Sequence, residues 1–153
     1  MNPAEFASES SQPHAIIGGY GLPGRCIAEL LQARQIPFRI IDLNPTTASR
    51  AASSKISILV GDMRDEAILL EAGLDRARLI AITIPDEHVT LEIIQVIRRL
   101  RPDIPIVTRC AYTSIGLKAR QLGATHVIVA EQLIAQEFSR LIDTSLPRPI
   151  PPA

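Results

Sequence analysis

Six short, nearly unbroken apolar runs alternate with amphipathic stretches between His14 and Asp143, and no other feature limits the possible folds as much. The runs are His14 to Gly18, Pro37 to Asp42, Ile56 to Val60, Leu79 to Ile84, Ile104 to Cys110 and His126 to Val129. A strand with one wet face alternates apolar and polar residues, whereas a strand apolar throughout is covered on both faces. Strands separated by helix-length segments are βα units, and repeated βα units build a parallel sheet. The expected fold is α/β, a doubly wound sheet of six parallel strands. At 153 residues the chain has room for a single domain. Hydrophobic residues make up 46% of it and aromatics 3%, so the core must come from Ile, Leu, Val and Ala.

The segment from Asp86 to Arg101 carries Val89, Ile93, Val96, Ile97 and Leu100 at helical spacing, and Arg98, Arg99 and Arg101 fall at its C-terminal end, where cations suit the helix dipole. Leu91 and Ile94 lie off this stripe, either as ordinary packing or as a second apolar face for a partner. A last helix from Glu131 to Ile142 places Ile134, Phe138, Leu141 and Ile142 on one side. Residues 1–13 read as a flexible polar lead-in, residues 14–143 as the ordered domain, and residues 144–153 as a proline-rich tail.

Directly after the first run stands Gly19-Tyr20-Gly21-Leu22-Pro23-Gly24, the pattern G-x-G-x-x-G. Gly19 permits a tight turn, Gly21 lets a phosphate approach the backbone, and Gly24 lets the following helix sit close to the strand. Pro23 suits a first helical turn, where its missing N–H costs little and the free N–H groups face the phosphates. The pattern alone is weak, but here it follows a strand, opens a helix and precedes an acid at the end of the second strand. Asp42 lies 18 residues beyond Gly24, near the spacing of a carboxylate that accepts from ribose hydroxyls. These features make the sheet Rossmann-like, and the acid disfavours a 2′-phosphate. Gly19 to Cys26 also approximates the P-loop pattern, but Arg25 replaces its lysine and Cys26 its Mg²⁺-binding hydroxyl, which argues against nucleotide hydrolysis by that route.

Ligands of open α/β sheets lie beyond the carboxyl ends of the strands. Gly61, Asp62 and Met63 follow the third run, Thr83, Ile84, Pro85 and Asp86 the fourth, and Arg109 closes the fifth. A guanidinium at Arg109 needs an anion, either a ligand or a carboxylate such as Glu131. Asp86 also suits the N-cap of the helix it precedes. His14, His88 and His126 show no metal-ligand spacing, and no metal is expected. Tyr112 and Lys118 do not match a Tyr-x-x-x-Lys pairing. Lys+Arg and Asp+Glu are 16 each, which leaves no basic footprint for nucleic acid. Two distant cysteines suggest a reducing compartment, and no apolar run reaches the roughly 18 residues of a membrane span.

Gly-Tyr-Gly-Leu-Pro-Gly-Arg, Ile-Ile-Asp-Leu-Asn-Pro, Val-Gly-Asp, Thr-Ile-Pro-Asp, Val-Thr-Arg and Leu-Gly-Ala-Thr-His-Val-Ile-Val-Ala-Glu, in that order, resemble the amino-terminal lobe of RCK/KTN domains, also called TrkA-N. The resemblance covers about His14 to Ile142 and is greatest to the cytoplasmic carboxy-terminal domains of Kef-type cation/proton antiporters. It implies a regulatory domain binding AMP, ADP, ATP or NAD(H) as an effector, not an enzyme. Gly19, Tyr20, Gly21, Leu22, Pro23 and Gly24 would belong to the phosphate loop, Asp42 would hold the ribose, and Leu43 would also touch the cofactor. Asp62 and Met63 would flank the adenine, Thr83 and Ile84 would line the pocket, and Arg109 would reach phosphate or a neighbouring subunit. The resemblance further implies a homodimer formed through the last helix and a membrane cation transporter as partner, in the same polypeptide or as a separate subunit. The place implied is the cytoplasmic side of the plasma membrane. Two other readings are an NAD-dependent oxidoreductase, or a coenzyme-binding piece of one, and an oligomerisation module with a decayed site. After six βα units about ten residues remain for a substrate pocket, which weighs against the enzyme.

Overall fold

The computed structural model describes residues 13–52 and 56–146. Along the chain, β1 (Ala15–Gly18), α1 (Leu22–Ala33), β2 (Phe38–Asp42), α2 (Pro45–Ala52), β3 (Ile58–Val60) and α3 (Glu66–Glu71) form the first half. The second half comprises β4 (Leu79–Ile82), α4 (Glu87–Leu100), β5 (Ile106–Cys110), α5 (Thr113–Gln121), β6 (His126–Val129) and α6 (Ala130–Ser145). The six strands form one sheet in the order β3-β2-β1-β4-β5-β6, and every pairing is parallel. The chain builds outward from β1 to β3, then returns to the other side of β1 with β4. The crevice at that reversal is where α/β sheets of this order bind ligands.

Successive strand residues point to opposite faces, so neighbouring Ile16 and Ile17, both fully buried, serve different cores. Ile16 joins Ile80, Ile82, Ile93, Ile97 and Ile106 in the larger cluster, while Ile17 packs with Ala28, Leu31 and Ile40 in the smaller. Ile94 is fully buried in the larger cluster and Leu91 packs against it, so both are ordinary packing. Arg98 does more than complement a dipole: its guanidinium donates to the carbonyls of Gly123 and Ile104, tying the end of α4 to the segments that lead into β6 and β5.

Several expected boundaries shift. The strands begin at Ala15, Phe38, Ile58 and Ile106 and the fourth ends at Ile82, because an apolar side chain continues into a loop where the parallel ladder does not. Asp86 and Arg101 cap α4 from outside, the Asp86 carboxylate accepting from Val89 N–H at 3.0 Å. The last helix runs to Ser145, past both Ile142 and the expected domain end at Asp143, so the start of the expected tail is helical. Residues 1–12 of the expected lead-in and 147–153 of the tail lie outside the described residues.

The β5–β6 end of the sheet is covered on one face only. Ile106, Thr108 and Cys110 are buried, whereas His126 and Ile128, which pair with Val107 and Arg109, are exposed. No residue of α6 is buried, and Leu133, Ile134, Phe138, Leu141 and Ile142 are all exposed, Phe138 by 64%. Among the described residues no helix is long and apolar enough to cross a membrane.

Candidate functional site

The turn after β1 is built by glycines for two separate reasons. Gly19 has φ +88°, a left-handed conformation that side chains resist. Gly24 is buried, and a Cβ on it would overlap the carbonyl oxygen of Gly19, so α1 can sit this close to the turn only without a side chain there. Thr83 fastens the same turn from β4, its hydroxyl lying 2.9 Å from the Gly18 carbonyl oxygen and 3.0 Å from that of Gly19. Thr83 is therefore a brace as well as a lining residue.

Gly21 is the N-cap of α1, and no side chain caps the helix. The first intrahelical bond, from Arg25 N–H to Gly21 C=O, leaves the earlier N–H groups aimed outward at the positive end of the helix. A Cβ on Gly21 would meet nothing within 4 Å. Open space in front of uncapped N–H groups fits a phosphate.

Asp42, at the end of β2, sits across from this turn. Its carboxylate accepts from Tyr20 N–H and from Asn44 N–H, both at 2.8 Å, which joins the turn after β1 to the turn after β2. Each oxygen keeps a further lone pair for ribose hydroxyls.

These residues open on a cavity of about 350 Å³, within the roughly 300–1,000 Å³ of small-molecule sites. Of the residues expected from sequence, the cavity brings together Gly19, Tyr20, Gly21, Asp42, Leu43, Asp62, Met63, Thr83 and Ile84. Leu22, Pro23 and Gly24 belong to the opening turn of α1 but do not line it. Arg109 does not line it either, and among the described residues it makes no ion pair with Glu131. It stands on β5, a full strand beyond the crevice between β1 and β4, on the less covered face beside Ile128.

Arg64 is a cleft residue that the sequence reading missed. Its guanidinium donates to both oxygens of Asp62, at 2.7 Å from Nη2 and 3.1 Å from Nε, and through Nη1 to Glu92 of α4 at 2.9 Å. The bonds from Arg64 hold the Asp62 carboxyl below the usual carboxylate range against a smaller opposing effect of burial, and the guanidinium is pushed up in turn. The pair is largely solvated, so its value lies in fixing the rim rather than in stability. The cue was present in Gly61-Asp62-Met63-Arg64, a cation two residues after a strand-end acid. Ile41, Asn44 and Val89 also line the cavity without having been singled out.

The cleft is wired to α6. Pro85 and Asp86 line it, and the adjacent Glu87 carboxylate accepts from Ala111 N–H at 2.7 Å. The carbonyl of Ala111 accepts from Glu131 N–H, in the first turn of α6, at 3.1 Å.

The two thiols differ in exposure. Cys26 is exposed on α1 and Cys110 is buried at the end of β5. Burial pushes the Cys110 thiol up, with the nearby Glu87 carboxylate adding to it and Arg109 opposing. The thiolate is the reactive form, so a thiol reagent at pH 8 is expected to modify Cys26 in the native protein and Cys110 only after denaturant. Rapid modification of both in the native state would contradict this burial.

The model of the TrkA-N domain family matches residues 15–130. The putative K(+) efflux antiporter KefB of Alkalimonas amylolytica is 33% identical over 117 residues, covering 76% of this chain and 18% of that protein. The putative cation/proton antiporter YbaL of Escherichia coli is 30% identical over 131 residues, covering 86% and 24%. The chain thus spans less than a quarter of the length of either relative. The crystal structure of the TrkA-N domain of E. coli YbaL superposes with a TM-score of 0.80 at 29% identity, over 86% of this chain and 97% of that one. The Kef carboxy-terminal domain of Shewanella denitrificans in its AMP-bound form gives 0.71 at 25% identity, over 87% and 82%. With a family model spanning all six strands, a matching sheet and a glycine turn facing a strand-end acid, this chain belongs to the TrkA-N domain family, alongside domains of potassium efflux antiporters.

Proposed function

We propose that this domain binds an adenine nucleotide (AMP, ADP, ATP or NAD(H)) as an effector, and that occupancy controls a potassium channel or cation/proton antiporter. The observation that carries the reading is the cleft itself, an uncapped helix N-terminus, open space at Gly21 and the Asp42 carboxylate around one cavity. The AMP-bound form of the S. denitrificans relative supports the same ligand class.

The ligand is a signal and not a hydride carrier in this reading. Every carboxylate lining the cavity is engaged in holding the scaffold: Asp42 by two backbone N–H groups, Asp62 by Arg64, and Asp86 by the first turn of α4. Such groups are poorly placed to move protons during a reaction. Sustained NADH consumption with any metabolite would overturn this part of the proposal.

A signal needs two packings of different ligand affinity. The bonds from the cleft loop through Glu87 and Ala111 to Glu131 offer a route to α6. The exposed apolar side of α6 is suited to a second copy of the domain, so the reading includes a homodimer beside a membrane transporter, on the cytoplasmic side.

Thermal melting with AMP, ATP and NADH tests the proposal. A nucleotide at about 100 times its Kd is expected to add roughly 2.7 kcal/mol of stability. No stabilisation by any adenine nucleotide would sink it.

A further inference from the structure

In a parallel sheet each strand starts at the edge where the preceding helix ends, so the edge opposite the cleft collects helix C-termini and strand starts. Arg34 caps the end of α1, Arg39 is the second residue of β2, and Arg76 and Arg78 lie just before β4. The Arg78 N–H donates to the His14 carbonyl at 2.9 Å, and Arg101 donates to the carbonyls of Leu74 and Asp75, so the group gathers around the start of β1. Against these arginines stand Asp75 and Asp103, already paired with Arg76 and Arg101, and Glu71 at the end of α3. At the other edge Asp42, Asp62 and Asp86 line the cleft. A chain neutral overall is therefore polarised along its strands.

Cations at helix C-termini are ordinary, since the dipole favours them. Arg39 and Arg78 stand at no helix end, and among the described residues the side chains of Arg34, Arg39 and Arg78 make no hydrogen bond or ion pair. Between Arg34 and Arg39 the loop from α1 to β2 carries Ile36, 40% exposed, exposed Pro37 and half-buried Phe38. The loop is held in place: Gln35, at φ +56°, donates its N–H to Gln32 C=O, and Ile36 N–H donates to Leu31 C=O. Behind it lies a recess of about 360 Å³ whose lining includes Arg39, Gln32 and Gln35.

Guanidinium forks match the oxygens of a phosphate. A short apolar tip between two cations suits the layer between lipid headgroups and acyl chains, where apolar atoms are covered and the charges stay at the polar surface. An acidic polypeptide would satisfy the arginines but offers the Ile36–Pro37 tip no apolar layer to enter. We propose that this edge docks on the anionic phospholipid headgroups of a bilayer, with the loop of residues 34–39 as the contact. The cleft then faces away from the lipid and stays open to its ligand. This surface goes beyond the nucleotide reading and does not depend on it.

Cosedimentation of the full chain at low ionic strength with vesicles of phosphatidylcholine alone, or of phosphatidylcholine mixed equally with phosphatidylglycerol, tests the proposal. The chain is expected to bind the mixed vesicles and not the neutral ones, and added salt releases it. Arg34→Gln, Arg39→Gln and Arg78→Gln each lower the partition about five-fold and the triple variant about 100-fold, the effect of removing cations from an anionic surface. Since these side chains hold nothing within the domain, the variants are expected to melt with the wild type. Arg25→Gln, at the opposite edge, removes the same charge and leaves the partition unchanged, while Ile36→Ser lowers it without changing charge. Equal binding to both vesicles, no binding to either, or an equal loss with Arg25→Gln overturns the surface. Binding to polyglutamate without binding to the mixed vesicles overturns it in favour of an acidic protein partner.

Discussion

Replacing Gly24 with alanine is expected to cost about 3 kcal/mol of stability, the upper part of the range for forced overpacking, and to remove nucleotide stabilisation with it. For a domain of this size the loss corresponds to a fall of roughly 10 °C in Tm. The new Cβ would overlap the Gly19 carbonyl oxygen and lie 3.2 Å from Thr83 Oγ1. Neither can withdraw, because Thr83 is bonded to the carbonyls of both Gly18 and Gly19 and the Gly19 N–H is held by Ile41. The helix must move, and the glycine turn moves with it. Gly21→Ala supplies the contrast. Its φ of −72° suits alanine and its Cβ meets open space, so the protein is expected to keep its Tm while nucleotide affinity falls. Paired melts with and without AMP read both effects. A Gly24→Ala protein that melts with the wild type, or a Gly21→Ala protein that binds AMP undiminished, would contradict this geometry.

Asp42→Ala is expected to lower AMP affinity by about 100-fold, since a hydrogen bond to a charged group contributes roughly 1.5–3 kcal/mol. The substitution also strips Tyr20 and Asn44 of their acceptor, so a stability loss of about 2 kcal/mol accompanies it. Asp42→Asn keeps one carbonyl oxygen for one of the two N–H groups, and both losses are expected to be smaller. Calorimetric titration with AMP gives the affinity and urea unfolding the stability. If affinity survives Asp42→Ala while stability falls, the carboxylate is a clamp between two turns and not a ribose ligand.

The site was legible in sequence where it is local. Gly19, Gly21 and Gly24 sit on one turn, and Asp42 is one βα unit away, so spacing alone brings them together. Arg64 was not legible, because its role comes from spanning the loop after β3 and the flank of α4, 28 residues apart. Arg109 stands away from the cavity for the matching reason. A strand-end arginine looks like an anion site in any βα unit, but distance from the crevice depends on strand order, and β5 is not adjacent to β1. The strand ends were overdrawn at Pro37, Ile56, Ile84 and Ile104 since apolarity marks burial, whereas a strand also needs a ladder partner.

By itself the sequence determined the alternation of strands and helices, the apolar strands of the sheet's centre and the glycine turn after β1. All three follow from side-chain periodicity or from contacts within one βα unit. Only the tertiary structure decided that the sheet reverses between β1 and β4, and hence which loops meet around one cavity. It also decided that, among the described residues, nothing buries the apolar side of α6. Those outcomes depend on how segments far apart in the chain pack against one another, and periodicity within a segment carries no information about its neighbours in space.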